Sequence, residues 1–244
     1  MKKKRYEVLD GIRGLVLLSM LGYHLMWDLV YLYRIECSWY QGTWGYIWQQ
    51  SICWIFILLS GFCWSFGRKK WRRGLEVMTA GAVITIVTIV VMPQQRVVFG
   101  ILTCIGSCML LMIPIEKMMT HVSPRIGLAV SGMLFFFMRD VNQGFLGFEQ
   151  LQFYKLPRGM YRNIATTYLG FPVRGFFSAD YFSIIPWIFL FICGYFLKRC
   201  LVDSQMQILE NGHCKILEIL GRYSLPIYMI HQPVLYGVLI VVFH

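Results

Sequence analysis

Four ionisable residues near the start of the chain share one helical face. Asp10, Arg13, His24 and Asp28 sit in DGIRGLVLLSMLGYHLMWDLVYLY, a long apolar run from Asp10 to Tyr33. At about 100° per residue, Arg13 and His24 fall within roughly 20° of each other some three turns apart. Asp10 precedes Arg13 by one turn and Asp28 follows His24 by one turn, so all four lie on one narrow stripe. Ionisable groups in an apolar helix are costly, pair with one another and line functional cavities. These residue types suit proton and group transfer. His has an ordinary pKa near neutrality. Asp28 is placed to orient the imidazole and stabilise its cation, as the third member of a triad does. Arg13 stays charged and is shaped for phosphate or carboxylate. A rise of ~1.5 Å per residue sets Arg13 ~16 Å from His24 along the helix. Such a wall fits a long donor, with anionic groups near Arg13 and Asp10 and a reactive end near His24. The alternative is packing: an Asp10–Arg13 pair at the helix start and a buried His24–Asp28 pair.

The elements that must carry this stripe are membrane helices. The 244 residues are 57% hydrophobic and only 14% charged, more apolar and less charged than soluble domains. Aromatics at 16% fit the interfacial belts of membrane helices. A net charge of +11 would suggest nucleic acid in a soluble protein. Here the charges lie between apolar runs, so topology and anionic lipid explain them and no nucleic-acid partner is expected. Apolar runs of about 20 residues mark spans. About seven are expected, at 12–33, 47–66, 74–92, 97–115, 120–138, 182–198 and 224–243, and Ser123-Pro124 cuts into the start of the fifth. The fold class is therefore all-α: a polytopic membrane helix bundle forming a single domain over 1–244. The first run is read as a retained helix, because it is long for a signal peptide and carries His24 and Asp28.

Positive charge orients the bundle. Lys2, Lys3, Lys4 and Arg5, the Arg68-Lys69-Lys70-Arg72-Arg73 cluster, Lys117, Arg125, Lys198, Arg199, Lys215 and Arg222 fall on one side. The other side carries fewer, most of them in one long loop. This places the chain in the cell membrane with a cytoplasmic N-terminus and an outer C-terminus. The RKKWRR cluster reads as a topology signal touching anionic lipid, or as a landing site for a phosphorylated cytosolic donor.

Other features are weaker. The cysteines include no CxxC, and His213-Cys214 is isolated, so neither a disulfide framework nor a metal site is expected. Gly100, Cys104 and Cys108 form a small-residue stripe that allows close helix packing. The first outer loop, about 34–46, is short and aromatic and reads as interfacial. The long outer loop, about 139–181, is rich in Phe and Tyr and is expected to fold back over the bundle. Its end carries Arg174 and Asp180, which either bind an acceptor or belong to an interfacial lid. In the last span, Pro233 leaves a carbonyl unpaired one turn earlier, and His231 lies by that break, either as a structural partner or in the cavity.

The start of the chain resembles multipass membrane acyltransferases, whose first helix carries an Arg and a His at the spacing of Arg13 and His24. More closely, the chain resembles bacterial relatives of the heparan-alpha-glucosaminide N-acetyltransferase catalytic domain. The pieces are LDGIRG…YHLMWDL, IFILLSGF at 55–62, FGILTCIGSCMLL at 99–111, LGFPVRGFFSADYFSIIPWIFLFICGYFLKR at 169–199 and LGRYSLPIYMIHQPVLYG at 220–237, in order over most of the chain. The resemblance implies transfer of an acetyl or similar acyl group from cytosolic acyl-CoA to a sugar amine or hydroxyl at the outer face. Acetyl-CoA is then the co-substrate and no metal is needed. His24 becomes the catalytic base or acyl carrier with Asp28 beside it. Arg13 and Asp10 become the donor contact, and Arg174, Asp180 and His231 substrate contacts. The first outer loop has no His, which leaves His24 to act. A homodimer is left open. The rival reading is a proton-coupled small-solute transporter using the same His/Asp stripe, although no internal repeat of the transporter kind is visible.

Overall fold

A computed structural model describes residues 6–149, 151–212 and 214–243. The basic Lys2–Arg5 cluster and His213 lie outside the described residues. The chain is mostly helical and divides into two compact units, one of Met1–Phe56 with Leu201–His244, the other of Ile57–Cys200.

In the first unit, α1 (Glu7–Trp27) runs on into a π-helical turn over Asp28–Leu32. A short α2 (Ser38–Gln41) leads into α3 (Thr43–Trp64), which crosses from the first unit into the second. After α9 (Asp203–Ile208), α10 (Lys215–Arg222) and α11 (Ser224–Phe243) complete the unit. Its core is Val16, Leu17, Met20 and Ile52, with Trp48, Leu220, Ile227 and Tyr228 packed around them. α10 lies against α1 with the two backbones in direct approach. A Cβ on Gly14 would run into the Leu217 carbonyl, and one on Gly221 into the Asp10 carbonyl. Small residues permit such crossings where lipid offers no hydrophobic drive to associate.

In the second unit, α4 (Lys70–Val91) and α5 (Ile101–Met119) form a hairpin with Gly81 against Thr103 and Gly106 against Met78. α6 (Pro124–Phe137) packs on α8 (Ile184–Cys200) through Gly127 under the Phe196 ring. The C-terminal end of α3 meets α8 at Gly61 and Gly194. Cys104 and Cys108 of α5 are fully buried, and the Cys104 thiol donates to the Ser183 carbonyl at 3.3 Å, as a packing stripe requires.

Among the described residues, five helices are long and apolar enough to cross a membrane: Glu7–Leu32, Thr43–Trp64, Lys70–Val91, Ile101–Met119 and Ser224–Phe243. The other two spans read from the sequence are shorter helices of 14 and 17 residues, Pro124–Phe137 and Ile184–Cys200. Pro124 takes the first helical position, where its missing N–H costs nothing. At ~1.5 Å per residue a helix of that length falls short of a ~30 Å hydrocarbon layer.

The segment before α8 is ordered. A hairpin of β1 (Phe145–Phe148) and β2 (Leu151–Lys155) stacks Phe148 on Phe136, centroids 4.7 Å apart. α7 (Ile164–Leu169) starts at a capping box between Asn163 and Thr166. The irregular stretch after it is fastened to the residues just before α5: Val98 N–H donates to Ser178 Oγ at 2.9 Å, and Phe182 N–H to the Phe99 carbonyl at 2.8 Å.

The glycine crossing is testable. Gly14→Ala and Gly221→Ala each insert a methyl where the partner backbone stands, and each is expected to cost about 1–3 kcal/mol in thermal unfolding in detergent. Gly11→Ala, with nothing within 4 Å of its added Cβ, is expected to be neutral or stabilising. Equal behaviour of the three variants would refute the crossing.

Candidate active site

α1 begins its polar stripe with an ion pair. Arg13 Nη1 lies 2.9 Å from Asp10 Oδ1, one turn apart. The pair sits beside the Gly14–Gly221 crossing. Asp10 is buried, and Arg13 keeps part of its guanidinium exposed.

Three turns on, the stripe meets α11. The His24 and His231 rings lie 4.7 Å apart, centroid to centroid, inclined at 56°. His231 is buried, and its Nδ1 stands 2.5 Å from the Tyr228 carbonyl oxygen one turn back on α11. The next residue, Gln232, gives its Nε2–H to Asp28 Oδ1 at 3.2 Å. Asp28 is only 1% exposed. Its main-chain carbonyl accepts from Tyr33 N–H at 3.1 Å, the wide hydrogen bond that opens the π turn. Such turns recur at functional sites. The two helices thus touch in two rungs: His24 with His231, and Asp28 with Gln232. Three buried atoms here have no partner among the described residues: Asp28 Oδ2, Gln232 Oε1 and His231 Nε2.

Aromatic side chains wall this region. Tyr23 meets Trp48 edge-on with centroids 5.4 Å apart. Trp48 Nε1–H donates to Ser19 Oγ at 2.8 Å. Tyr40 of α2 donates to the Tyr23 carbonyl at 2.9 Å, and burial raises its pKa, so it stays a neutral donor. The aromatic segment around Tyr40 therefore folds onto α1 beside His24.

The sequence reading and the structure differ in the pairing. His24, Asp28 and His231 do come together, and Asp10 and Arg13 pair at the start of the same helix. The Asp28 carboxylate, however, takes Gln232 as its donor; the ring that His24 meets is that of His231. Gln232 was missed because it carries no charge; an amide in an apolar span was the available signal. Arg174 and Asp180 belong to the second unit. Arg174 is exposed. Asp180 Oδ2 accepts from Ile101 N–H at 3.1 Å and so caps α5, a helix start 79 residues away. Among the described residues, no group of three His, Cys, Asp or Glu side chains is placed to hold a metal ion.

Residues 5–233 match the model of the family described as heparan-alpha-glucosaminide N-acetyltransferase, catalytic. The matched stretch takes in the whole stripe on α1 together with His231 and Gln232. No curated protein and no solved structure matches the chain.

Two outcomes follow from this geometry. Gln232→Leu strips the donor from Asp28 and is expected to destabilise by about 1–3 kcal/mol. In a double-mutant cycle with Asp28→Leu, unfolding should return a coupling of about 0.5–3 kcal/mol, and strict additivity would dismiss the rung. Burial pushes the Asp180 carboxyl from its ordinary 3.8 up to about 6, against the pull of the Ile101 N–H. The folded chain then holds this proton to higher pH than the unfolded chain, so ionisation between about pH 4 and 6 removes stability. Asp180→Asn, which still accepts from Ile101, is expected to flatten the fall in Tm across that window.

Proposed function

The chain belongs to the heparan-alpha-glucosaminide N-acetyltransferase catalytic family, and from that premise we propose that it is a multi-pass membrane enzyme moving an acetyl or similar acyl group from cytosolic acyl-CoA to a sugar amine or hydroxyl at the outer face of the cell membrane. The proposed arrangement has a cytoplasmic N-terminus and an outer C-terminus. The observation that carries the reading is the reach of the family match, which includes both rungs between α1 and α11.

His24 and Asp28 are the proposed catalytic pair, with the imidazole acting as base or transient acyl carrier. Acetyl-CoA is the proposed donor. Its thioester belongs near His24, and its anionic groups near Arg13, which Asp10 holds in place at 2.9 Å. Arg is suited to such groups because its planar fork matches phosphate oxygens two at a time. His231 sits where an acceptor would have to approach the His24 ring. The Tyr23, Tyr40 and Trp48 wall gives a sugar ring apolar faces to lie against. Asp180 serves the second unit as the cap of α5, and Arg174 of that unit is exposed.

The test is acetyl-CoA binding to detergent-purified protein by calorimetry, followed by transfer to glucosamine. Saturable binding is expected. Arg13→Ala should weaken it about tenfold, the scale of one charge-assisted contact. His24→Ala should bind the donor and lose transfer by about 10²–10⁴. A folded sample that binds neither acetyl-CoA nor longer acyl-CoAs would end this reading and direct attention to proton-coupled transport.

A further inference from the structure

The two imidazoles at the site are not equivalent, and their hydrogen bonds tell them apart. Tyr228 offers its carbonyl oxygen to His231 Nδ1 at 2.5 Å. A carbonyl has no hydrogen to give, so the hydrogen of that bond is on Nδ1. A neutral imidazole carries one N–H. Nε2 of His231 is therefore a bare lone pair, buried and without a partner among the described residues. Gln232 repeats the pattern one residue on. Its amide spends a hydrogen on Asp28 Oδ1 and leaves Oε1 bare, and Asp28 keeps a bare Oδ2. The site therefore presents three buried acceptors. Buried polar groups without partners are rare in folded proteins and call for an explanation.

Resting on the acyltransferase reading above, we propose that His231 is the base of the reaction, its Nε2 taking the proton of the acceptor's amine or hydroxyl while Asp28 Oδ2 and Gln232 Oε1 receive hydrogens from the same acceptor. A group rich in donors satisfies all three atoms. A phosphate or carboxylate would face lone pairs with lone pairs, so the donor's anionic end is directed elsewhere and the acceptor's end here. In the step itself, the acceptor nitrogen or oxygen attacks the acyl carbon of the thioester and forms the new C–N or C–O bond. The N–H or O–H proton passes to His231 Nε2. The C–S bond breaks with its electron pair on sulfur, and the imidazolium returns the proton to the thiolate, giving free thiol and neutral His231. Tyr228 is a positioning residue through its carbonyl, which holds the ring in the tautomer that accepts. The role of His24 narrows to holding that ring by the 4.7 Å contact, or to carrying the acyl group.

Two measurements on the full chain decide this. Ring ¹⁵N spectra of histidine-labelled protein in nanodiscs at neutral pH report the tautomer directly, with His231 assigned through its neighbours Ile230 and Gln232. A ring protonated on Nδ1 and bare on Nε2 is expected, and the reverse pattern overturns the inference whatever the substrate. Transfer from acetyl-CoA to glucosamine, with acetyl-CoA hydrolysis followed in parallel, is then compared for wild type and His231→Gln. The variant is expected to lose about 10²–10⁴ in kcat while its acetyl-CoA Kd stays within about threefold. Free imidazole should restore part of the rate to His231→Ala. A His231→Gln kcat within about threefold of wild type refutes His231 as the base but leaves the acyltransferase reading intact. A wild-type protein that neither binds nor consumes acetyl-CoA removes the reading and this inference together.

Discussion

A carboxylate inside an apolar helix cannot borrow hydrogen bonds from its surroundings, so whatever reaches Asp28 decides how its helix sits. The side chain that reaches it is Gln232, 204 residues later in the chain. That bond fastens α11 beside the end of α1, and one turn away His24 meets His231. Sliding α11 by one residue would turn both polar side chains off the stripe and leave Asp28 with no donor at all. Leaving a buried charge without a partner costs more than the bond gains. The rung is therefore best understood as a device for specificity of packing. It also helps to build the site, together with the packing of Ile227 and Tyr228 on the Val16, Leu17 and Met20 core.

The same helix is held a second time near its start. Gly14 and Gly221 bring α1 and α10 to backbone contact, so neither helix can rotate without a clash. A close crossing at one end and a polar rung at the other fix α1 about its own axis. That matters for a stripe only a few side chains wide, since a rotation of one residue's worth would carry His24 away from α11. Both fastenings come from the segment after Leu201. The polar stripe near the N-terminus thus depends for its geometry on the last forty or so residues, and the family match over 5–233 takes in both parts.

The helical period made the stripe legible, because Asp10, Arg13, His24 and Asp28 are polar exceptions in an apolar run, and exceptions are easy to phase. Ser123-Pro124 cut into the fifth expected span, and the structure starts that helix at Pro124, while the last span begins at Ser224 as expected. What could not be read had tertiary causes. The period itself changes at Asp28, where the π turn adds a residue, so the phase beyond it no longer follows 100° per residue. α6 was overread at its start, where apolar and polar residues from 120 precede the break at Ser123-Pro124, while α8 keeps the expected seventeen residues two positions later, its Ile185 held out of helical geometry before Pro186. Asp180 looked like a free ligand because its real partner, the start of α5, is remote in sequence. Gln232 and Tyr228 were silent for a plainer reason: one is uncharged, and the other acts through its backbone.

The chemistry of the bare atoms also bears on the choice between enzyme and proton pathway. A proton relay works by alternation, each group donating onward as it accepts from behind. His231 Nε2, Asp28 Oδ2 and Gln232 Oε1 all accept, and one hydrogen of Gln232 and the hydrogen of His231 Nδ1 are engaged elsewhere, on Asp28 Oδ1 and the Tyr228 carbonyl. Among the described residues, no hydrogen bond joins one bare atom to the next. A substrate with several N–H or O–H groups meets no such obstacle, since it brings the hydrogens that the site lacks and gives up one of them in the reaction. The arrangement of lone pairs therefore favours a site that binds and deprotonates a donor-rich molecule over one that passes protons along.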